Sequence, residues 1–209
     1  MEEDKKEEKI EFNLKRAWKK TWKFLWDDDS LLSWIVSLAL AFIIVKFIFF
    51  PLLSLALGTA LPLVVVESGS MHHPGSFLGN TFGLESNFNQ WWNEKGSWYT
   101  DKNFIKEQVL SWDFRTGLEA GDIIVVYGRG NLEIGDIIIF EGGSQHPIIH
   151  RIISIENTDQ GKIYSTKGDN NPGQLNAEKQ ISEEQILGHA VFKIPKLGWI
   201  KLGVVRLFS

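Results

Sequence analysis

The 209-residue chain has no cysteine, which excludes disulfides, a cysteine nucleophile and thiolate metal sites at once. An extracytoplasmic location stays open, but no oxidative staple holds it together. Acidic residues are missing from 12–26 (FNLKRAWKKTWKFLW), which carries Lys15, Arg16, Lys19, Lys20 and Lys23. Charge of either sign is nearly missing from Leu31 to Val66, where Lys46 stands alone. That run is too long for a signal-peptide core, and the start lacks a cleavable layout. A bilayer span needs roughly 20 apolar residues. The pattern predicts a transmembrane helix over residues 30–57, with Ser30 or Asp29 as N-cap. Lys46 would snorkel toward the far interface, and Pro51 would kink the helix or end it early.

What is present is unevenly placed. Eight Lys/Arg precede the span and the next after Lys46 is Lys95, so residues 1–29 are expected in the cytoplasm and the rest outside. Residues 14–26 read as an amphipathic juxtamembrane segment on the inner leaflet, and acidic residues 1–11 as a disordered tail. Of the nine tryptophans, Trp18, Trp22, Trp26 and Trp34 cluster about the span as interfacial aromatics do. The net charge of −4 points to no partner, and no nucleic-acid partner or cofactor is assigned.

Residues 58–209 are expected to form one extracytoplasmic catalytic domain. DIIVVY (122–127), DIIIF (136–140), IIHRIISI (148–155) and KIYST (162–166) are short β-branched runs separated by glycine-rich turns. They predict a mainly β, antiparallel domain. Residues 76–119 interrupt it as an irregular tryptophan-rich insertion. Within it, NFIKEQVLSWDF (103–114) has the spacing of one short helix. The tryptophans of the insertion suit a local mini-core; resting on the membrane or lining a substrate groove are the alternatives. Residues 192–209 read as a last strand followed by an interfacial segment.

The chemistry concentrates in VVVESGSM (64–71), directly after the span. A serine beside a glycine can be exposed with backbone N–H groups around it, as a nucleophile with an oxyanion site requires. Ser70 needs a base. His150 sits on a strand whose face alternates Ile148, His150 and Ile152, while Arg151 points the other way. In KGDNNP (167–172), Asp169 is either the cap of a tight turn or the acceptor of the second ring N–H of His150. A metal site of His72, His73, His146 and His150 is disfavoured, because Pro147 breaks the last pair and strand positions i and i+4 stand about 13 Å apart.

These segments, in this order, resemble the type I signal peptidases of the archaeal and endoplasmic-reticulum branch. The resemblance is carried by VVESGSM (65–71), LEAGDIIV (118–125), Gly135-Asp136-Ile137 through Ile149-His150-Arg151-Ile152, TKGDNN (166–171) and GHAVFKIP (188–195). It implies Ser70 as nucleophile, His150 as base where the bacterial branch has lysine, and Asp169 as the acid. It further implies Ser68 in the oxyanion hole with the Ser70 backbone, and a β core of coiled sheets near the bilayer. Lys167, Asn170 and Glu178 are accessory candidates. The implied activity is removal of signal peptides from exported preproteins by a single-pass cell-membrane protein working beside the export machinery. Two departures stand out. The insertion follows Met71-His72-His73-Pro74, and Leu175 occupies a position where many archaeal members carry a second aspartate. Without that second acid, Asp169 alone or Glu178 would have to serve.

Overall fold

The computed structural model describes residues 2–143, 146–199 and 201–203. The chain divides into two compact units, residues 1–53 and 54–209. In the first, α1 runs over Glu2–Trp26, so the acidic stretch expected to be disordered is drawn into a helix. Trp18, Trp22 and Trp26 recur every fourth residue as an exposed stripe, with ring centroids 5.9 and 5.6 Å apart. Helix α2 (Leu31–Ile44) is capped by Ser30, whose hydroxyl accepts from Ser33 N at 3.2 Å. The Ser33 hydroxyl donates back to Phe24 O and that of Ser37 to Leu25 O, at 3.3 Å for the latter. A π turn, Val45–Phe49, leads into α3 (Phe50–Leu57). Pro51 lacks an N–H and its ring would strike the carbonyl four residues back, so the widened turn just ahead lets the helix continue instead of ending. The result is one helix, Leu31–Leu57, long and apolar enough to cross a bilayer.

The second unit is built on a seven-stranded sheet in the order β1-β2-β7-β3-β4-β5-β6, with every pairing antiparallel. The strands are β1 (Leu63–Val65), β2 (Ile123–Tyr127), β3 (Ile137–Phe140), β4 (Ile148–Thr158), β5 (Gly161–Lys167), β6 (Ile181–Ser182) and β7 (Ile186–Ile194). The mainly β fold with one N-terminal apolar helix is as the sequence predicts. The two Gly-Asp pairs do the same job before β2 and β3. Gly121 and Gly135 adopt φ of 89° and 105°, a left-handed geometry that favours glycine. Asp122 and Asp136 then accept the N–H of Glu119 and Glu133, each at 2.8 Å. Under the β1-β2-β7-β3 half lie Val66, Met71, Leu118, Ile124, Val126, Ile137 and Ile139. Ile138, Phe140, Ile152, Tyr164 and Ile181 fill the opposite face.

The insertion holds three helices where one was expected: α4 (Phe77–Phe82), α5 (Glu85–Thr100) and α6 (Lys106–Leu110). Ser86, Asn87, Asn89, Asn93, Gly96 and Ser97 make α5 a poor helix former, at up to about 0.7–1 kcal/mol each relative to alanine. Phe88, Trp91 and Tyr99 are buried on one side of it, and burying a large apolar side chain contributes about 1.5–3 kcal/mol. With Phe104, Val109 and Ile153 of β4 they form a separate aromatic core, the local mini-core expected of the tryptophans. At the C-terminal end, β7 accounts for the expected last strand. Trp199 packs on Gly121, and any interfacial segment within 204–209 lies outside the described residues.

Candidate active site

β1 delivers Val66 into the sheet and the chain then turns over Ser68-Gly69-Ser70-Met71. The turn closes by His72 N donating to Gly69 O at 3.1 Å. Met71 is buried as its anchor, while Ser68 is exposed and Ser70 half-buried. The two hydroxyls stand 3.1 Å apart. The turn after β5 grips this one. Asn170 N donates to Ser70 O at 2.8 Å, Asn170 Nδ2 to Gly69 O at 3.0 Å, and Asp169 N to the Met71 sulfur at 3.3 Å.

His150 lies on β4 opposite Ile138, 4% exposed. Its Nδ1 is hydrogen-bonded to Glu178 Oε1. Glu178 is wholly buried in a short 3-10 turn (Asn176–Glu178), where its carboxylate also accepts from Thr166 Oγ1 and Leu175 N. A carboxylate accepts only, so Nδ1 carries a proton, and in the neutral imidazole Nε2 presents the free lone pair. Nε2 faces the Gly168 turn: a methyl built on Gly168 would stand 2.7 Å from it and 2.9 Å from Ser70 O. The Gly168 turn therefore lies beside both the imidazole and the Ser70 backbone, and the hydrogen bond of the Ser70 hydroxyl is to that of Ser68.

Asp169 stands elsewhere. It accepts from Arg151 Nε at 3.0 Å and Arg151 Nη2 at 2.8 Å, from His73 Nε2 at 3.0 Å and from the Tyr99 hydroxyl at 3.0 Å. The expected Asp169–His150 bond is thus replaced by Glu178–His150. The reason is strand parity. Consecutive residues point to opposite faces, so Arg151 and its cross-strand partner Lys167 share the face turned away from His150, and Asp169 follows Lys167 on that side. Burial alone would raise the Asp169 carboxyl, but the Arg151 charge and the hydrogen bonds from His73 and Arg151 hold it far below the usual carboxylate range. Burial lowers the His73 imidazole despite Asp169, leaving it neutral, with Nδ1 unpartnered and the ring stacked on Trp91 at 4.1 Å. The Tyr99 phenol is pushed well up by burial and by the Asp169 charge, and so stays a donor.

Of the accessory candidates, Asn170 holds the serine turn and Glu178 holds the imidazole. Lys167 is buried with Nζ donating to Gly168 O at 2.9 Å and lying over the rings of Trp98 and Tyr99 at 5.0 and 5.1 Å. Burial lowers its pKa to about 8. His72 is exposed, and His189 lies on β7 against Tyr127. Sequence reading did not single out Arg151 or Tyr99 as site residues, and it named His73 only in a disfavoured metal site. The one available signal was the alternation that sets Arg151 opposite Lys167.

No protein-family model matches the chain. A protein of Lachancea thermotolerans named signal peptidase complex catalytic subunit SEC11 is 32% identical over 139 residues, covering 61% of this chain and 81% of the relative. A Saccharomyces cerevisiae protein of the same name is 33% identical over 105 residues, covering 46% of this chain and 63% of the relative.

Proposed function

Since the chain belongs to the family of the signal peptidase complex catalytic subunit SEC11, a signal peptidase and so a serine-type endopeptidase, we propose that it removes N-terminal signal peptides from secretory preproteins with Ser70 as nucleophile and His150 as general base. The observation that supports this most is the placement of His150. Its Nδ1 is bound to a buried carboxylate, and its Nε2 is turned to the same backbone turn that holds Ser70.

Nε2 takes the Ser70 proton as Oγ attacks the scissile carbonyl. The Ser70 N–H and the Ser68 hydroxyl stabilise the oxyanion. The C–N bond then breaks, His150 gives its proton to the leaving amine, and an ester joins Ser70 to the signal peptide. Water, deprotonated by His150, releases it. Glu178 fixes the tautomer and stabilises the imidazolium, the role first expected of Asp169. Asp169, already paired with Arg151, serves as the pin of the turn. Small residues before the cut, in the A-x-A pattern, are the substrates this reading implies.

The helix Leu31–Leu57 would anchor the enzyme with residues 1–29 inside, since the lysines of α1 precede it. The tryptophan stripe of α1 would lie on the inner leaflet. The relatives' name describes a subunit of a complex, and partner proteins near the export machinery are part of this proposal. Detergent-solubilised protein incubated with a signal-bearing preprotein is the test. Ser70→Ala should abolish cleavage while the protein still folds and inserts. Cleavage that survives would remove the nucleophile assignment.

A further inference from the structure

Resting on that reading, we propose that the inserted helix α5 belongs to the catalytic machinery, with Tyr99, Trp91 and Lys95 as positioning residues that hold the Gly168–Asn170 turn, and through it Ser70, in the attacking geometry.

The turn has two sides. Its inner side grips the serine loop through three hydrogen bonds, two from Asn170 and one from Asp169 N. Its outer side is gripped by α5. Trp91 Nε1 donates to Asp169 O at 3.2 Å, Lys95 Nζ to Asn170 O at 3.2 Å, and Tyr99 OH to Asp169 Oδ1 at 3.0 Å. These residues recur at i, i+4 and i+8, the spacing of one helix face. All three are donors, and all three end on two consecutive residues of the turn. Packing alone asks for apolar side chains at such a face, whereas here every helical turn presents a polar hydrogen. Trp91 also stacks on His73, which supplies another donor to Asp169. The turn is therefore clamped between a helix that the β fold does not require and the loop that carries the nucleophile. Misplacement of reacting groups by about 1 Å costs up to about a hundredfold in rate, so such a clamp acts on turnover rather than on substrate affinity.

The test uses full-length solubilised enzyme with Tyr99→Phe, Asn170→Ala and the double variant. It measures kcat and KM on one preprotein, the pH profile and the melting midpoint. Tyr99→Phe should lower kcat about tenfold with KM and the pH profile unmoved, since His150 and Glu178 occupy the other face. The double variant should be no worse than the weaker single variant, because both act through one turn. A Tyr99→Phe kcat equal to wild type, or losses that multiply, would overturn the proposal. Should Tyr99→Phe melt early, Lys95→Met, at the half-buried rim, decides: kcat should fall several-fold at an unchanged midpoint, and a wild-type kcat would overturn the proposal. Failure of the underlying reading looks different, because cleavage would then survive Ser70→Ala.

Discussion

Replacing each buried carboxylate by its amide should separate the two acids of the site, Glu178 and Asp169. Glu178→Gln keeps the shape of the side chain but removes its charge. Its amide must either turn an N–H toward Leu175 N, which is itself a donor, or turn it toward His150 Nδ1 and force the wrong tautomer. In a serine–histidine–carboxylate site the equivalent change lowers kcat by about 10⁴, so a loss of about 10²–10⁴ is expected here. The stability cost is that of one imperfect hydrogen bond, about 1 kcal/mol. Asp169→Asn does the reverse. It leaves the wholly buried Arg151 guanidinium unpaired, at a cost of about 3–5 kcal/mol. In a chain of this size that lowers the melting midpoint by about 6–20 °C. Its effect on kcat passes only through the turn and should stay nearer tenfold. Initial rates of preprotein cleavage, with melting followed by tryptophan fluorescence, read both quantities. The two variants should rank in opposite order in the two assays. A Glu178→Gln enzyme within about threefold of wild-type kcat, beside an Asp169→Asn enzyme that is inactive yet melts normally, would refute the reasoning.

Gly168→Ala should cost about a hundredfold in kcat, because its methyl would stand 2.7 Å from both His150 Nε2 and Asn171 Nδ2 and something must move; a wild-type rate would show that the gap is not tight. Lys167→Met tests the buried ammonium. Its folded pKa of about 8 lies below the unfolded value of 10.5, so the unfolded chain holds more protons between those values and wild-type stability should rise with pH across that window. The methionine variant should lose that rise and be more stable at pH 7 by up to about 3 kcal/mol in a denaturant titration. A flat wild-type profile from about pH 8 to 10.5 would contradict it.

The strands were legible because their signals are local. β-branched runs bounded by Gly-Asp turns set β2 and β3 almost to the residue, since left-handed φ and an aspartate cap need no tertiary partner. Ser30 likewise announced the start of the apolar helix. The short helix expected within 103–114 is α6, but α5 was not legible at all, because its asparagines, serines and glycine argue against a helix and only burial of Phe88, Trp91 and Tyr99 outweighs them. The placement of Ser70 on a turn and of His150 inward on a strand could be read from serine–glycine chemistry and from strand alternation. The partner of His150 could not be chosen from turn chemistry, which favoured Asp169. Carrying the alternation one strand further would have set Asp169 on the Arg151 side, and Leu175 already directed attention to Glu178.

The division of labour between the two acids also follows from what each already neutralises. A carboxylate stabilises a nascent imidazolium only with charge not already engaged. Asp169 is held by the permanently charged Arg151, 2.8 Å away, and a second cation beside that pair gains little. The hydrogen bonds of Glu178 come from a neutral hydroxyl, a backbone N–H and the imidazole itself. Buried among these, its charge acts on His150 through a medium that screens it weakly. In the proposed mechanism, placing the guanidinium on one face of β4 and the imidazole on the other leaves one carboxylate free to act on His150 while the other locks the turn that carries Asn170 to Ser70.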